Sequence, residues 1–226
     1  TFDNVSFHYG DDDTEVLHGL NLHVTPGQSI ALVGPSGAGK TTLCEQMLRH
    51  SGVLRKCGRV DHGDAFMDAN SLERARGITI FSEQASFDLT GEDGETVHVT
   101  LMDTPGHVDF SGEMERALSV LDMALLVVSC AEGVQSHTET VWQLLKEYNV
   151  PVFIFLNKLD RLGADPERVL AQMRNRLSPD MLDLRSFQTE SRFSKEEIEA
   201  IAERDEDLLE RLFDGGFSHN SKHLLL

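Results

Sequence analysis

"IALVGPSGAGKTTLCEQ", residues 30–46, decides the fold. Its first residues are almost continuously apolar, as in a strand buried on both faces. A glycine-rich turn follows, and then a helical pattern. Gly34 to Thr41 satisfy G-x-x-x-x-G-K-[ST] in full, in the strand–turn–helix setting that gives the pattern its meaning. Glycines let the backbone curl so that successive N–H groups point at phosphate, and the helix N-terminus adds positive potential. Gly34, Ser36, Gly37, Ala38, Gly39, Lys40, Thr41 and Thr42 are therefore the candidate phosphate contacts. Within them Lys40 reaches the outer phosphates and the Thr41 hydroxyl faces Mg²⁺. The loop specifies a nucleotide and leaves its base open.

Outward from this loop, strand and helix alternate. "FDNVSFHY" (2–9) and "EVLHGLNLHV" (15–24) alternate apolar and polar residues around the acidic "GDDD", as an antiparallel pair does, and "TPGQ" turns into the phosphate strand. Residues 40–50 read as a helix, and residues 52–78 as a long polar, aperiodic loop with a functional role. "ITIFSEQASFDL" and "TVHVTLMD" flank "TGEDGE", whose Asp93-Gly94 suits a tight hairpin, and the second strand ends on Asp103. "ALLVVSC" and "VPVFIFLN" read as buried parallel strands separated by a helix bearing Val141, Leu144, Leu145 and Tyr148. Asp165-Pro166 starts a helix carrying Val169, Leu170, Met173 and Leu177, and Ser194 with Glu197 forms a capping box. "DEDLLERLFDGG" closes a last helix at Gly215. The expectation is one α/β P-loop NTPase domain over 1–226: a mostly parallel sheet flanked by helices, with an N-terminal antiparallel β-hairpin. Residues 1–43 supply the first strands and the loop, 44–177 the core, and 178–226 a helical insert and a truncated end.

Composition narrows the partners. With 226 residues, 40% of them hydrophobic, the chain can bury one substantial core. Its formal charge of −18 repels bare nucleic acid and anionic membranes, and no basic patch is evident in the sequence. No apolar run approaches the roughly 20 residues of a membrane span, and no signal peptide opens the chain. The three cysteines, Cys44, Cys57 and Cys130, show no metal-ligand spacing, which fits a reducing cytoplasm.

Two family resemblances meet at the loop. Residues 2–43, "FDNVSFHYG" and "VLHGLNLHVTPGQSIALVGPSGAGKTTL", resemble the nucleotide-binding domain of ABC transporters. That resemblance implies ATP, with Tyr9 as the platform stacking on adenine; an ordinary core aromatic is the alternative for Tyr9. No "LSGGQ"-like signature follows, and Asp103 is succeeded by Thr104 where that family carries a catalytic glutamate.

From about Thr41 onward the chain resembles the G domain of translational GTPases, tetracycline-resistance ribosomal protection proteins and elongation factor G in particular. "GRVDHGDAFMDANSLERARGITI" (58–80) is similar to their first switch, "DTPGH" (103–107) to their second, and "NKLD" (157–160) to their guanine-reading motif. The resemblance implies GTP with Mg²⁺ and a ribosome as partner. It makes Thr79 and Asp103 metal ligands beside Thr41, and Lys40, Thr79, Gly106 and His107 the catalytic set. Asp103 would hold a Mg²⁺ water, the Gly106 N–H would reach the γ-phosphate, and His107 would orient the attacking water. Asp160 would accept from guanine N1–H and the exocyclic amine, a donor pair adenine lacks, with Asn157 and Lys158 bracing that loop. Three departures stand out: Gly37 replaces the family's usual aspartate, no Ser-Ala base motif follows "FDGGF", and the later domains are missing. A fragment or a fusion joined at the phosphate loop is the expectation, with GTP the leading ligand and ATP, or a non-catalytic fold, the alternative.

Overall fold

The computed structural model describes residues 2–8, 15–22, 29–58, 65–67, 70, 73, 79–90, 96–107, 111–181 and 183. Two strands, β1 (Phe2–His8) and β2 (Glu15–Leu22), pair antiparallel in a sheet of their own. Five others, β3 (Ser29–Val33), β4 (Glu83–Thr90), β5 (Thr96–Asp103), β6 (Met123–Ser129) and β7 (Val152–Asn157), form a second sheet in the order β4-β5-β3-β6-β7. β3 lies parallel to both β5 and β6, β6 is parallel to β7, and β4 runs antiparallel to β5.

The register places the site. Leu32 pairs with Asp103, so the carboxylate at the end of β5 emerges beside the end of β3, where the glycine turn begins. The central strands owe their place to composition: Ile30 to Val33 and Met123 to Val128 are buried apolar residues covered on both faces. Helix α1 (Lys40–His50) packs Leu43, Met47 and Leu48 into the core they share with Leu32, Leu101, Leu125 and Val127. The other described helices are α2 (Ser111–Leu118), α3 (Ser136–Glu147) and α4 (Pro166–Arg176). Asp165 caps α4 as expected, its Oδ1 accepting the Arg168 N–H at 3.0 Å. α3 carries a capping box that sequence reading missed, made by Gln135 and Thr138.

Two expectations need correction. The apolar run of β7 predicts a strand buried like β6, but Val152 to Leu156 are only half-buried, because β7 is the edge of the described sheet and has a neighbour on one side. On α3, Val141 and Leu145 are fully buried and Leu144 partly, whereas Tyr148 lies past the helix end at the surface and donates its hydroxyl to Glu115 at 3.1 Å. Its ring belongs to the surface, not to the apolar stripe. Cys44 and Cys130 are buried and outside any disulfide, and burial pushes the Cys44 thiol well up, which keeps it in the unreactive thiol form.

Several expectations fall outside the described residues: Tyr9 and the "GDDD" loop, the "TPGQ" turn, the tip of the "TGEDGE" hairpin, much of 59–78, the Ser194 capping box and the helix ending at Gly215. The chain separates into two compact units, Thr1–Gln172 and Met173–Leu226. The first holds both sheets and every site residue discussed below. In the second, Met173 and Leu177 are buried, and residues 177, 179 and 180 lie in turns. Among the described residues no helix is long and apolar enough to cross a membrane.

Candidate functional site

The turn after β3 is built on three left-handed glycines: Gly34 (φ 133°), Gly37 (φ 78°) and Gly39 (φ 97°). Two are also sterically required. A Cβ on Gly34 would run into the Val127 carbonyl of β6, and one on Gly39 into the Asn157 amide. Around Gly37 the space is open, so a side chain there is limited by backbone conformation alone. Lys40 is 5% exposed and folds back to donate its Nζ to the carbonyls of Gly34 (2.9 Å) and Pro35 (3.1 Å). Burial lowers the pKa of its ammonium, with the Asp103 carboxylate pulling the other way. Gly34 and Ala38 are buried, Ser36 and Gly37 exposed, and Thr42 partly covered.

Next to the lysine, three side chains converge from three parts of the sequence. Thr41 Oγ1 donates to Asp103 Oδ2 at 2.7 Å and lies 3.2 Å from Thr79 Oγ1. Thr41 and Thr79 are each 9% exposed and Asp103 is fully buried. Two hydroxyls and one carboxylate are hard oxygen donors, a set that suits Mg²⁺ sharing its remaining positions with phosphate and water. Among the described residues no group of three or more His, Cys, Asp or Glu could hold a metal alone, which sets this oxygen cluster apart from a self-sufficient metal cage. Thr104 locks the strand end by donating both N–H (3.3 Å) and Oγ1 (2.8 Å) to the Leu32 carbonyl.

"DTPGH" then passes over the glycine turn. Ser36 donates its N–H to the Gly106 carbonyl at 2.8 Å, and a Cβ on Gly106 would collide with Lys40 Nζ, Ser36 N and Pro35 C. His107 is exposed. His137, in the first turn of α3, has both ring nitrogens buried without a hydrogen-bond partner. Burial, then the nearby Lys40 and His107 charges, lower its pKa.

At the far end of β7, Asn157 donates Nδ2 to the Ala38 carbonyl at 2.8 Å and its own backbone carbonyl accepts the Cys130 N–H at 2.7 Å. Lys158 adopts a left-handed backbone (φ 62°) and stands 3.9 Å from Glu132, while Asp160 is exposed. Arg168 Nη2 from α4 donates to the carbonyls of Cys130 (3.2 Å), Ala131 (3.0 Å) and Gly163 (3.3 Å), tying the two loops together. The structure thus gathers Gly39, Lys40, Thr41, Thr79, Asp103, Gly106 and Asn157 around one turn. Lys158 and Asp160 follow on the loop that Asn157 attaches, and Tyr9 is outside the described residues.

Sequence reading missed two buried carboxylates. Glu45 on α1 accepts the N–H groups of Gly58 (2.9 Å) and Met67 (3.0 Å). Glu73 accepts those of Ile80 (2.8 Å), Phe81 (3.0 Å) and Asn70 (3.2 Å). It also missed Arg168 and His137. Only the isolation of Glu45 within the apolar stretch of α1 signalled any of them.

The Elongation factor Tu GTP binding domain matches residues 26–218. The chain is 45% identical over 156 residues to the tetracycline resistance protein TetP of Clostridium perfringens, covering 69% of this chain and 23% of that protein. It is 46% identical to the oxytetracycline resistance protein of Streptomyces rimosus, covering 67% and 22%, and 47% identical to the mitochondrial elongation factor G of Drosophila virilis, covering 67% and 20%. The chain therefore spans about a fifth of the length of these relatives. The crystal structure of a Thermus thermophilus protein superposes with a TM-score of 0.67 at 30% identity, over 83% of this chain and 33% of that one. Residues 1–25 lie outside the family match, and the transporter resemblance of residues 1–43 gains nothing from these relatives. On the match over 26–218 and the fold that carries it, this chain belongs to the elongation factor Tu GTP-binding domain family.

Proposed function

We propose that the chain binds GTP together with Mg²⁺ and hydrolyses it weakly, as the nucleotide domain of a ribosome-associated translation factor or tetracycline-resistance protein. The observation that carries this reading is the convergence of Thr41, Thr79 and Asp103 beside Lys40. These three would hold Mg²⁺, which when bound neutralises charge on the phosphate oxygens. Lys40 would exchange its two backbone carbonyls for phosphate oxygens. The N–H groups of the turn would line the phosphates, and Gly106 would offer its own amide to the outermost one. His107, exposed on the loop that crosses the turn, would orient a water molecule, with no need for a free general base.

Asp160 gives the reading its sharpest test. It is exposed, so replacing it leaves the fold intact. A hydrogen bond to a charged group contributes about 1.5–3 kcal/mol, so Asp160→Ala should weaken GTP binding by about 10- to 100-fold and leave ATP binding unchanged. Titration of wild type and variant with labelled GTP and ATP in the presence of Mg²⁺ measures this. ATP binding as tight as GTP, or an unaffected Asp160→Ala, would overturn the proposal. The adenine alternative, with Tyr9 stacking on the base, predicts instead that Tyr9→Ala abolishes ATP binding. A chain whose melting temperature moves with neither nucleotide would be a non-catalytic fold, since any ligand of the folded state raises it.

A further inference from the structure

Glu73 is completely buried, and so is Glu45. A buried carboxylate is costly unless hydrogen bonds satisfy it. Among the described residues, both accept backbone N–H groups of one stretch of chain, the stretch that leads from α1 past Thr79 into the approach to β4. Glu45 lies one turn along α1 from Thr41 and fastens the beginning of this stretch at Gly58 and Met67. Glu73 fastens its end: one oxygen accepts from both Ile80 and Phe81, the other from Asn70. Ile80 directly follows Thr79, whose hydroxyl stands 3.2 Å from Thr41 Oγ1. The two amides that Glu73 holds therefore set the height and rotation of the Thr79 backbone over Thr41 and Asp103.

We propose that Glu73 is the positioning residue for Thr79: it fixes the threonine hydroxyl in the Thr41–Asp103 oxygen cluster through the backbone of Ile80 and Phe81, and touches no ligand itself. The carboxylate is needed for its charge as well as its shape. Two N–H groups converge on one oxygen and a third on the other, a pattern a carboxylate accepts throughout. A glutamine could still serve Ile80 and Phe81 with its carbonyl oxygen, but would turn an NH₂ toward the Asn70 N–H.

This proposal rests on reading the Thr41–Asp103 cluster as the Mg²⁺–GTP site. The Mg²⁺ concentration that half-saturates GTP binding is measured for wild type, Glu73→Gln, Glu73→Ala, Thr79→Ala and the Glu73→Ala/Thr79→Ala pair. Residues that orient a metal's ligands typically contribute 10- to 100-fold to its affinity. Glu73→Ala is therefore expected to raise the half-saturating concentration by about 10-fold or more, close to the effect of Thr79→Ala, with Glu73→Gln in between. Because Glu73 acts through Thr79, the double variant should be no worse than the worse single one. Amide hydrogen exchange is the second readout, and needs no nucleotide: the Ile80 and Phe81 amides should exchange faster in both Glu73 variants while the β3 and β6 amides keep wild-type protection. Unchanged Mg²⁺ dependence in Glu73→Gln, independent and additive effects of the two alanine changes, or unchanged exchange at Ile80 and Phe81 would each overturn the proposal. If wild type binds no GTP, the functional reading fails, and the exchange at Ile80 and Phe81 still decides whether Glu73 holds the Thr79 backbone.

Discussion

Gly106→Ala probes the crossing of "DTPGH" over the phosphate turn. The glycine is buried and its φ is not in the left-handed region, so alanine is permitted by the backbone and excluded only by its surroundings. The added Cβ would meet Lys40 Nζ, Ser36 N at 2.6 Å and Pro35 C at 2.8 Å. The lysine tip can swing away, but Ser36 and Pro35 present backbone atoms, so the loop itself must lift. Overpacking of this kind costs about 1–3 kcal/mol. Lifting the loop also breaks the Ser36 N–H bond to the Gly106 carbonyl, for about 0.5–1.5 kcal/mol more. Alanine restricts the unfolded chain and returns about 0.4–1 kcal/mol. The balance is a loss near ~2 kcal/mol, or a fall of roughly 4–8 °C in Tm for a domain of this size. Gly112→Ala is the internal control: it lies exposed on α2 with no atom near the new Cβ, and should stabilise by about 0.5–1 kcal/mol. Thermal and urea unfolding followed by circular dichroism measure both. A Gly106→Ala protein melting within about 1 °C of wild type would refute the close crossing of loop and turn.

Three further outcomes are expected. Asn157→Ala removes the bond to the Ala38 carbonyl and should destabilise the chain by about 1–3 kcal/mol in urea unfolding, while weakening GTP binding. Gly37→Asp meets no obstructing atom and puts a left-handed-tolerant residue at φ 78°, so it should cost under about 1 kcal/mol and raise GTP turnover, read as phosphate release. His137 has a folded-state pKa held below its ordinary 6.5, so the unfolded chain takes up its proton first. Its stability contribution is complete above pH 6.5 and is lost as pH falls through 6.5 toward the folded value, so urea midpoints on either side of pH 6.5 should fall more in wild type than in His137→Gln.

The parts of this molecule that its sequence discloses are those where chemistry restricts the residue type. On the proposed reading the turn wraps phosphate, which needs left-handed glycines, a lysine and a hydroxyl, and Gly34, Gly39, Lys40 and Thr41 are legible for that reason. Asp103 is legible because it ends an apolar strand, and the Leu32 register then brings it to Thr41. Strand β6 is legible from its unbroken apolar run, whereas the equally apolar β7 is only half-covered, since composition does not say which strand is the edge. Tyr148 matches a helical period that the helix does not reach. Glu73 and Arg168 are illegible, and the role of Glu45 is too, for a common reason: their partners among the described residues are backbone amides and carbonyls, which every residue possesses and no side-chain pattern records. The same charged letters on a solvent-facing surface would read identically.

The bond from Asn157 to the Ala38 carbonyl gives the site the character of a calliper. One jaw is the phosphate turn, and on the proposed reading the other is the loop carrying Asp160. A 2.8 Å contact ties the one to the other across the ends of the sheet. A nucleotide held by one jaw presents its other end at high effective concentration to the second. A ligand of the wrong span, even with the right base and the right phosphates, engages only one jaw and forfeits that advantage. On the proposed reading, selection by length is thus built into the frame of the site, ahead of any selection by hydrogen bonding to the base.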